Sequence, residues 1–217
     1  MTKENNVIVS IVGGNHRGDR EAEDFYPSPA EITYALVHYE LPYFEKYKVL
    51  EPCCGDGAIS VILEDFGVRV RSQDLIDRGF GETGIDFLQT KKSDCQAIIT
   101  NPPFNLSEAF IRHGFDTHGV KYMAMFLKAS YWHAASRKKL FLEHQPSRVY
   151  ALQWRPDFKG QGGPTMDFIW VVWDDNAPKN ETRYLLMDKI VGLRSKPAKK
   201  RTKKKAEPVN QEPVAIS

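Results

Sequence analysis

Asn101-Pro102-Pro103-Phe104 brings together an amide side chain, two consecutive prolines and an aromatic ring. Each proline fixes its own φ, removes an N–H donor and holds the residue before it extended, so this stretch presents carbonyl oxygens without offering hydrogens. With an amide acceptor on one flank and a flat ring on the other, it suits a planar group carrying an NH2, and a nucleobase is the obvious candidate. A second set of residues lies upstream. Glu51-Pro52-Cys53-Cys54-Gly55-Asp56-Gly57 joins a carboxylate to a glycine turn, Asp74 stands nineteen positions beyond Gly55, and Asp86-Phe87 follows. An acid at about that distance from a glycine turn is where a nucleoside site needs a partner for ribose hydroxyls. Gly55-x-Gly57 alone is equally a plain strand-to-helix turn, and Asp56 and Ser28 are each explained as helix caps. No third phosphate-binding glycine and no Gly-Lys-Ser/Thr follow, which disfavours NAD and ATP and leaves a cofactor with a nucleoside but no phosphates.

These residues need elements to hold them. Ala97 to Thr100 is short, apolar and β-branched, and reads as a buried strand delivering Asn101. Lys48 to Glu51 reads as a strand entering the glycine turn, Ile59, Ile62, Leu63 and Phe66 recur at helical spacing after it, and Gly67 ends that helix. Val68 to Gln73 alternates as a second strand ending at Asp74. Ser28-Pro29-Ala30-Glu31 has the form of a capping box, predicting a helix from Pro29 that Pro42 closes. Further strands are expected at Tyr122 to Leu127, Arg148 to Trp154 and Asp167 to Trp173, with helices from about Ser107 to His113 and Tyr131 to Glu143 and a short strand possible at Val7 to Val12. The alternation predicts a single Rossmann-like α/β domain over residues 24–193, with a mostly parallel seven-stranded sheet and helices on both faces. The loop Arg155 to Met166 has no room for a crossover helix, so the last pair is expected to be antiparallel, at the end of the sheet. Trp170 and Trp173 lie in a strand and read as packing rather than a base platform.

The chain has 217 residues, enough for one sizeable core, with 41% hydrophobic and 27% charged residues as in a soluble globular protein. The longest apolar run, Phe168 to Trp173, is too short to cross a bilayer. The first ten residues show no secretory pattern and the three cysteines are too few for a disulfide frame, so a reducing cytoplasm is expected. Cys53 and Cys54 are adjacent and the six histidines show no ligand spacing, so no metal is implied. Charge is uneven. Residues 194–217 carry eight Lys or Arg against two Glu, a net +6, which with a total of +2 leaves −4 for the rest. That tail is expected to be disordered, either as a solubilising segment or as a basic arm attracted to nucleic-acid phosphate; residues 1–23 are a polar segment.

The first motif, Glu51 to Gly57, resembles that of class I S-adenosylmethionine-dependent methyltransferases, and Asn101 to Phe104 resembles the catalytic motif of those that methylate exocyclic amines. Asp24-Phe25-Tyr26-Pro27-Ser28-Pro29 resembles the cofactor-side motif of adenine methyltransferases of the gamma arrangement, and Phe158 to Trp173 is similar to the closing segment of small phage and prophage DNA adenine methyltransferases. The resemblance spans about residues 24 to 175. It implies S-adenosyl-L-methionine as cofactor and an extruded adenine of DNA as substrate, with Asn101, Pro102, Pro103 and Phe104 catalytic. It implies that Glu51, Gly55 and Gly57 hold the methionine end under Tyr26, Pro27 and Ser28, with Cys53 inside the same motif. Asp74 would bind the ribose, and Asp86 and Phe87 would contact the cofactor's adenine. RNA guanine or protein glutamine methylation shares the Asn-Pro-Pro-aromatic loop, and a silent nucleic-acid-binding protein is a third reading, against which the intact loop counts. With no insertion of domain size for target recognition, specificity is expected to be weak or short, resting on loops such as Arg155 to Met166, with Arg155 a candidate for phosphate.

Overall fold

The computed structural model describes residues 27–190, Lys159 excepted. Its strands are β1 (Lys48–Glu51), β2 (Arg69–Ser72), β3 (Ala97–Thr100), β4 (Tyr122–Lys128), β5 (Arg148–Leu152), β6 (Phe168–Asp174) and β7 (Arg183–Met187). They form one seven-stranded sheet in the order β2-β1-β3-β4-β6-β5-β7. β2, β1, β3 and β4 are mutually parallel, while β6 runs antiparallel to both of its neighbours.

Side chains alternate between two cores, as the period of two along a strand requires. Tyr122, Ala124 and Phe126 of β4 pack on α1 (Ala30–Phe44) and α2 (Ala58–Asp65) through Ile32, Leu36, Phe44, Ile59 and Leu63. Met123, Met125 and Leu127 face the other way, onto α3 (Ser107–His113) and α4 (Lys138–Glu143) through Phe110, Ile111 and Leu140. Covered on both faces, the central strands are continuously apolar, which is what buried parallel strands require. Trp170 is fully buried with its indole N–H donated to the Ile32 carbonyl, and Trp173 donates to the His144 carbonyl, so both serve as packing. Gly67 ends α2 at φ +82, with the Val68 N–H returning to the Leu63 carbonyl.

Several elements depart from the pattern expected of the sequence. The antiparallel strand lies inside the sheet, between β4 and β5, and the edge is taken by β7, which pairs parallel to β5. β7 was not among the expected strands, although Tyr184 to Met187 is an apolar run; Tyr184 and Leu186 on its outer face are exposed. α1 begins at Ala30 with no side-chain cap, and Pro42 lies inside it. Pro42 falls in the last turn, where one lost backbone bond is tolerated and the Glu45 N–H still reaches the Leu41 carbonyl. The helix expected over Tyr131 to Glu143 is broken into 3-10 turns at Ala129–His133 and Ala135–Arg137 before α4. Arg137 explains the break: its guanidinium lies over the Tyr131 ring and donates to the Tyr131 carbonyl that a continuous helix would use. The possible strand at Val7 to Val12, the polar segment and the basic tail lie outside the described residues.

At the edge of the sheet where β4 and β5 begin, Glu40 of α1 is fully buried and accepts from the Tyr122 and Tyr150 hydroxyls and from Arg148, whose guanidinium also reaches Asp174 at 3.0 Å. This cluster ties α1 to β4, β5 and β6. Because removing one member leaves a buried charge with fewer partners, Glu40→Ala is expected to lower stability by about 3–5 kcal/mol. Denaturant unfolding of the variant beside the parent protein measures this.

Candidate active site

Glu51, Asp74 and Asn101, three of the residues picked out by type and spacing, converge on the opposite edge of the sheet, whereas Phe87 is buried in the core. β1, β2 and β3 are parallel, and their carboxyl ends deliver Glu51, the Gln73-Asp74 pair and Asn101 to one side. Ligands of open α/β sheets bind at such an edge.

After β1 the chain turns on Gly55 (φ +56) and Gly57 (φ +90), with the Gly57 N–H donated to the Cys54 carbonyl. A Cβ on Gly57 would stand 2.7 Å from the Phe80 ring, so both conformation and space require glycine there. The Gly55 N–H donates to Asp74 Oδ2 at 2.8 Å, joining the turn to the end of β2, while Asp74 Oδ1 accepts from the Ile76 N–H. Asp56 Oδ1 accepts from the Ala58 N–H in an Asx turn; the N-cap of α2 is Gly57, so Asp56 does not cap the helix. Cys54 and Cys95 are buried, Cys53 is half-buried, and all three are free thiols. Leu75 and Ile76, exposed apolar side chains directly after Asp74, are site candidates that sequence reasoning did not single out.

Glu51 is buried and accepts from the Ser60 hydroxyl, which also meets the Ser72 hydroxyl at 2.6 Å. Burial above all, with Asp74 and Asp56 nearby, pushes its carboxyl up to about 8. A buried carboxyl with two further acids beside it is a setting that a cation would stabilise. Asp86 caps a 3-10 turn, Phe87–Gln89, by accepting from the Leu88 N–H. The Phe87 ring is buried against Phe110, His113 and His118. Burial, with His113 alongside, lowers His118 to about 4, so the His118 ring is neutral near pH 7.

Asn101 is held from an unexpected direction. Its Nδ2 donates to the Ser28 hydroxyl at 3.0 Å, whereas Oδ1 is buried and has no partner among the described residues. Ser28 therefore does not cap α1; its hydroxyl orients the amide. Pro102 is buried and Pro103 exposed, and Phe104 opens a 3-10 turn, Phe104–Leu106, that leads into α3. The Phe104 ring lies 6.0 Å from that of Phe168, and the Lys128 ammonium sits 4.9 Å from its centre. Arg155 pairs with Asp167 at 2.7 Å, closing the base of its loop, so its guanidinium is engaged. Pro27 is exposed beside Ser28; Tyr26 lies outside the described residues. Among the described residues no group of His, Cys, Asp and Glu could hold a metal ion, and no helix is long and apolar enough to cross a membrane.

No family model and no curated protein matches the sequence. Solved structures do. A protein from Pyrococcus horikoshii proposed to be an RNA methyltransferase superposes with a TM-score of 0.54 at 14% identity, over 72% of this chain and 88% of that one. A type I restriction-modification methyltransferase subunit from Streptococcus thermophilus gives 0.52 at 12% identity, over 72% of this chain and 45% of that one. A Listeria monocytogenes protein proposed to be a class I S-adenosylmethionine-dependent methyltransferase gives 0.52 at 16%, over 78% and 68%. This is the class I S-adenosylmethionine-dependent methyltransferase fold. The chain spans less than half the length of the restriction-modification subunit.

The residues present suit the cofactor of the methyltransferase fold. A glycine cradle that a Cβ would fill, a carboxylate on the turn's own amide and a buried acid suit a nucleoside bearing positive charge. In the free protein the folded state holds the Glu51 proton up to about pH 8, while the unfolded chain releases it in the ordinary carboxylate range. Stability therefore falls as pH rises through that window. Glu51→Gln removes the titration, so its melting temperature is expected to gain on the parent's steadily from pH 5 to pH 8. Thermal denaturation across that range without cofactor checks it.

Proposed function

We propose that this chain transfers the methyl group of S-adenosyl-L-methionine to the exocyclic amine of adenine in DNA. The observation that carries the reading is the Asn101 side chain: one end of its amide is fixed by Ser28, and the other is a buried acceptor with no partner among the described residues. A buried acceptor without a hydrogen costs free energy, and an amine hydrogen would satisfy it. Intact motifs around it, in the order of the DNA adenine class, support the choice of base and polymer.

The amine of adenine is a weak nucleophile because its lone pair is delocalised into the ring. Asn101 Oδ1 and the Pro102 carbonyl accept its two hydrogens, which favours a pyramidal nitrogen with a localised pair. Neither group moves during the reaction, since Ser28 fixes one and the prolines fix the other, and such preorganisation lowers the barrier. Phe104 stacks on the extruded base. When bound, the cofactor supplies an electrophilic methyl on a sulfonium. Glu51, Gly55, Gly57 and Asp74 would hold it, with Tyr26, Pro27 and Ser28 on the near side and Asp86 and Phe87 toward its adenine. Cys53 lies in the same turn. No general base is needed before transfer; the proton made acidic by methylation leaves to water. Specificity is weak or short, because the loop at Asn101 chooses a base without touching its neighbours.

Labelled cofactor offered with DNA, RNA and protein in parallel tests this. Transfer is expected to DNA adenine, with Asn101→Ala reducing it on the order of a hundredfold or more. Full transfer by that variant would contradict the assigned chemistry. Ser28→Ala frees the amide without removing it. A loss of about tenfold in kcat is expected, the scale of one hydrogen bond, with cofactor affinity the control measurement.

A further inference from the structure

Lys128 is the last residue of β4 and stands next to the catalytic loop on one side and, across the antiparallel pair, opposite Phe168 on the other. Its half-buried side chain places the ammonium 4.9 Å from the centre of the Phe104 ring. Lys46, Lys91, Lys92, Lys121 and Lys138, which also have no carboxylate within 4.0 Å, are exposed, whereas Lys128 is half-buried without one among the described residues. An unpaired cation is thus parked on the ring that the reading above assigns to the substrate base.

We propose that Lys128 is a nucleotide-binding residue that exchanges partners: its ammonium rests on Phe104 in the free protein and contacts the phosphate of the extruded nucleotide once the base occupies the ring. The proposal rests on the methyltransferase reading and extends it to the substrate's backbone. An ammonium and a base cannot share one face of a single ring. Lysine suits such an exchange, because its charge is compact and its four-carbon stem is flexible, and a lysine ammonium is a good point charge for phosphate. A base stacked on an aromatic ring together with a phosphate contact replaces a lone cation–π contact, so the exchange favours the bound state. The charge balance of the chain also calls for it. Residues outside the basic tail carry a net −4, which repels a phosphate backbone, and a cation at the point of base entry offsets that repulsion locally. A protein glutamine substrate would bring no phosphate for Lys128 to meet.

The test compares full-length wild type, Lys128→Met and Lys128→Arg, using labelled cofactor and an oligonucleotide duplex that wild type methylates, over a series of salt concentrations. Lys128→Met keeps the apolar stem and removes the charge. It is expected to raise KM for the duplex about tenfold at low salt and to make the slope of log affinity against log salt shallower by about one, with Lys128→Arg recovering most of the affinity. Unchanged KM and salt slope in Lys128→Met would overturn the proposal while leaving the methyltransferase reading intact. So would a fall in kcat alone accompanied by a lower melting temperature, which marks a structural role. Wild type that transfers to no nucleic acid would overturn the parent reading and this proposal with it.

Discussion

The hydrogen bond between Ser28 and Asn101 spans 73 positions of sequence and connects the entry to α1 with the end of β3. Everything at the candidate active site depends on what it does to one amide. It spends the donor end of Asn101 on the protein and leaves the acceptor end buried without a partner among the described residues. The sheet supplies the position, since β3 is buried along its whole length and cannot shift without disturbing both cores. The two prolines remove the remaining backbone freedom.

The same edge of the sheet holds a second constraint of a different kind. Glu51, Asp56 and Asp74 gather around one glycine turn, and no lysine or arginine is paired with any of the three among the described residues. Asp74 is held by backbone N–H groups and Glu51 by a serine hydroxyl, so neither carboxyl has been neutralised by a side-chain cation. Glu51 responds by keeping its proton. The turn is consequently short of positive charge, and the burial that raises Glu51 also shields any compensating cation from water.

Much of this was legible in the sequence, for reasons that differ from residue to residue. β1, β3 and the glycine turn could be read because their signals are local: an apolar run, a carboxylate at its end, glycines where φ is positive. The parallel core of β2, β1, β3 and β4 followed from the alternation of such signals. Ser28 misled because serine before proline and three positions before glutamate satisfies the capping pattern regardless of what lies across the fold. Its true partner is distant in sequence, and nothing local reports it. The helix from Tyr131 failed similarly, since the competing contact made by Arg137 with the Tyr131 carbonyl is a matter of geometry rather than propensity. Lys128 looked like one charged residue after an apolar strand, and only the placement of Phe104 gives it meaning. β7 was missed although Tyr184 to Met187 is an apolar run; it follows the polar stretch Asp174 to Thr182 with no helix between, so it fell outside the alternation of strand and helix.

The insertion of β6 between β4 and β5 bears on the order in which the protein can assemble during synthesis. β1 to β4 form contiguous parallel neighbours once residue 128 has emerged, and they already contain the glycine turn, Asp74 and Asn101. β5 emerges next but has no partner in that half; it must wait for β6, which arrives some twenty residues later and pairs with both. During that interval the far side of β4 is an open, apolar edge, and the chain is vulnerable to pairing with another copy. The half that would hold the cofactor is thus assembled before the half that closes the sheet, so ligand present at that stage would stabilise an incomplete molecule by mass action.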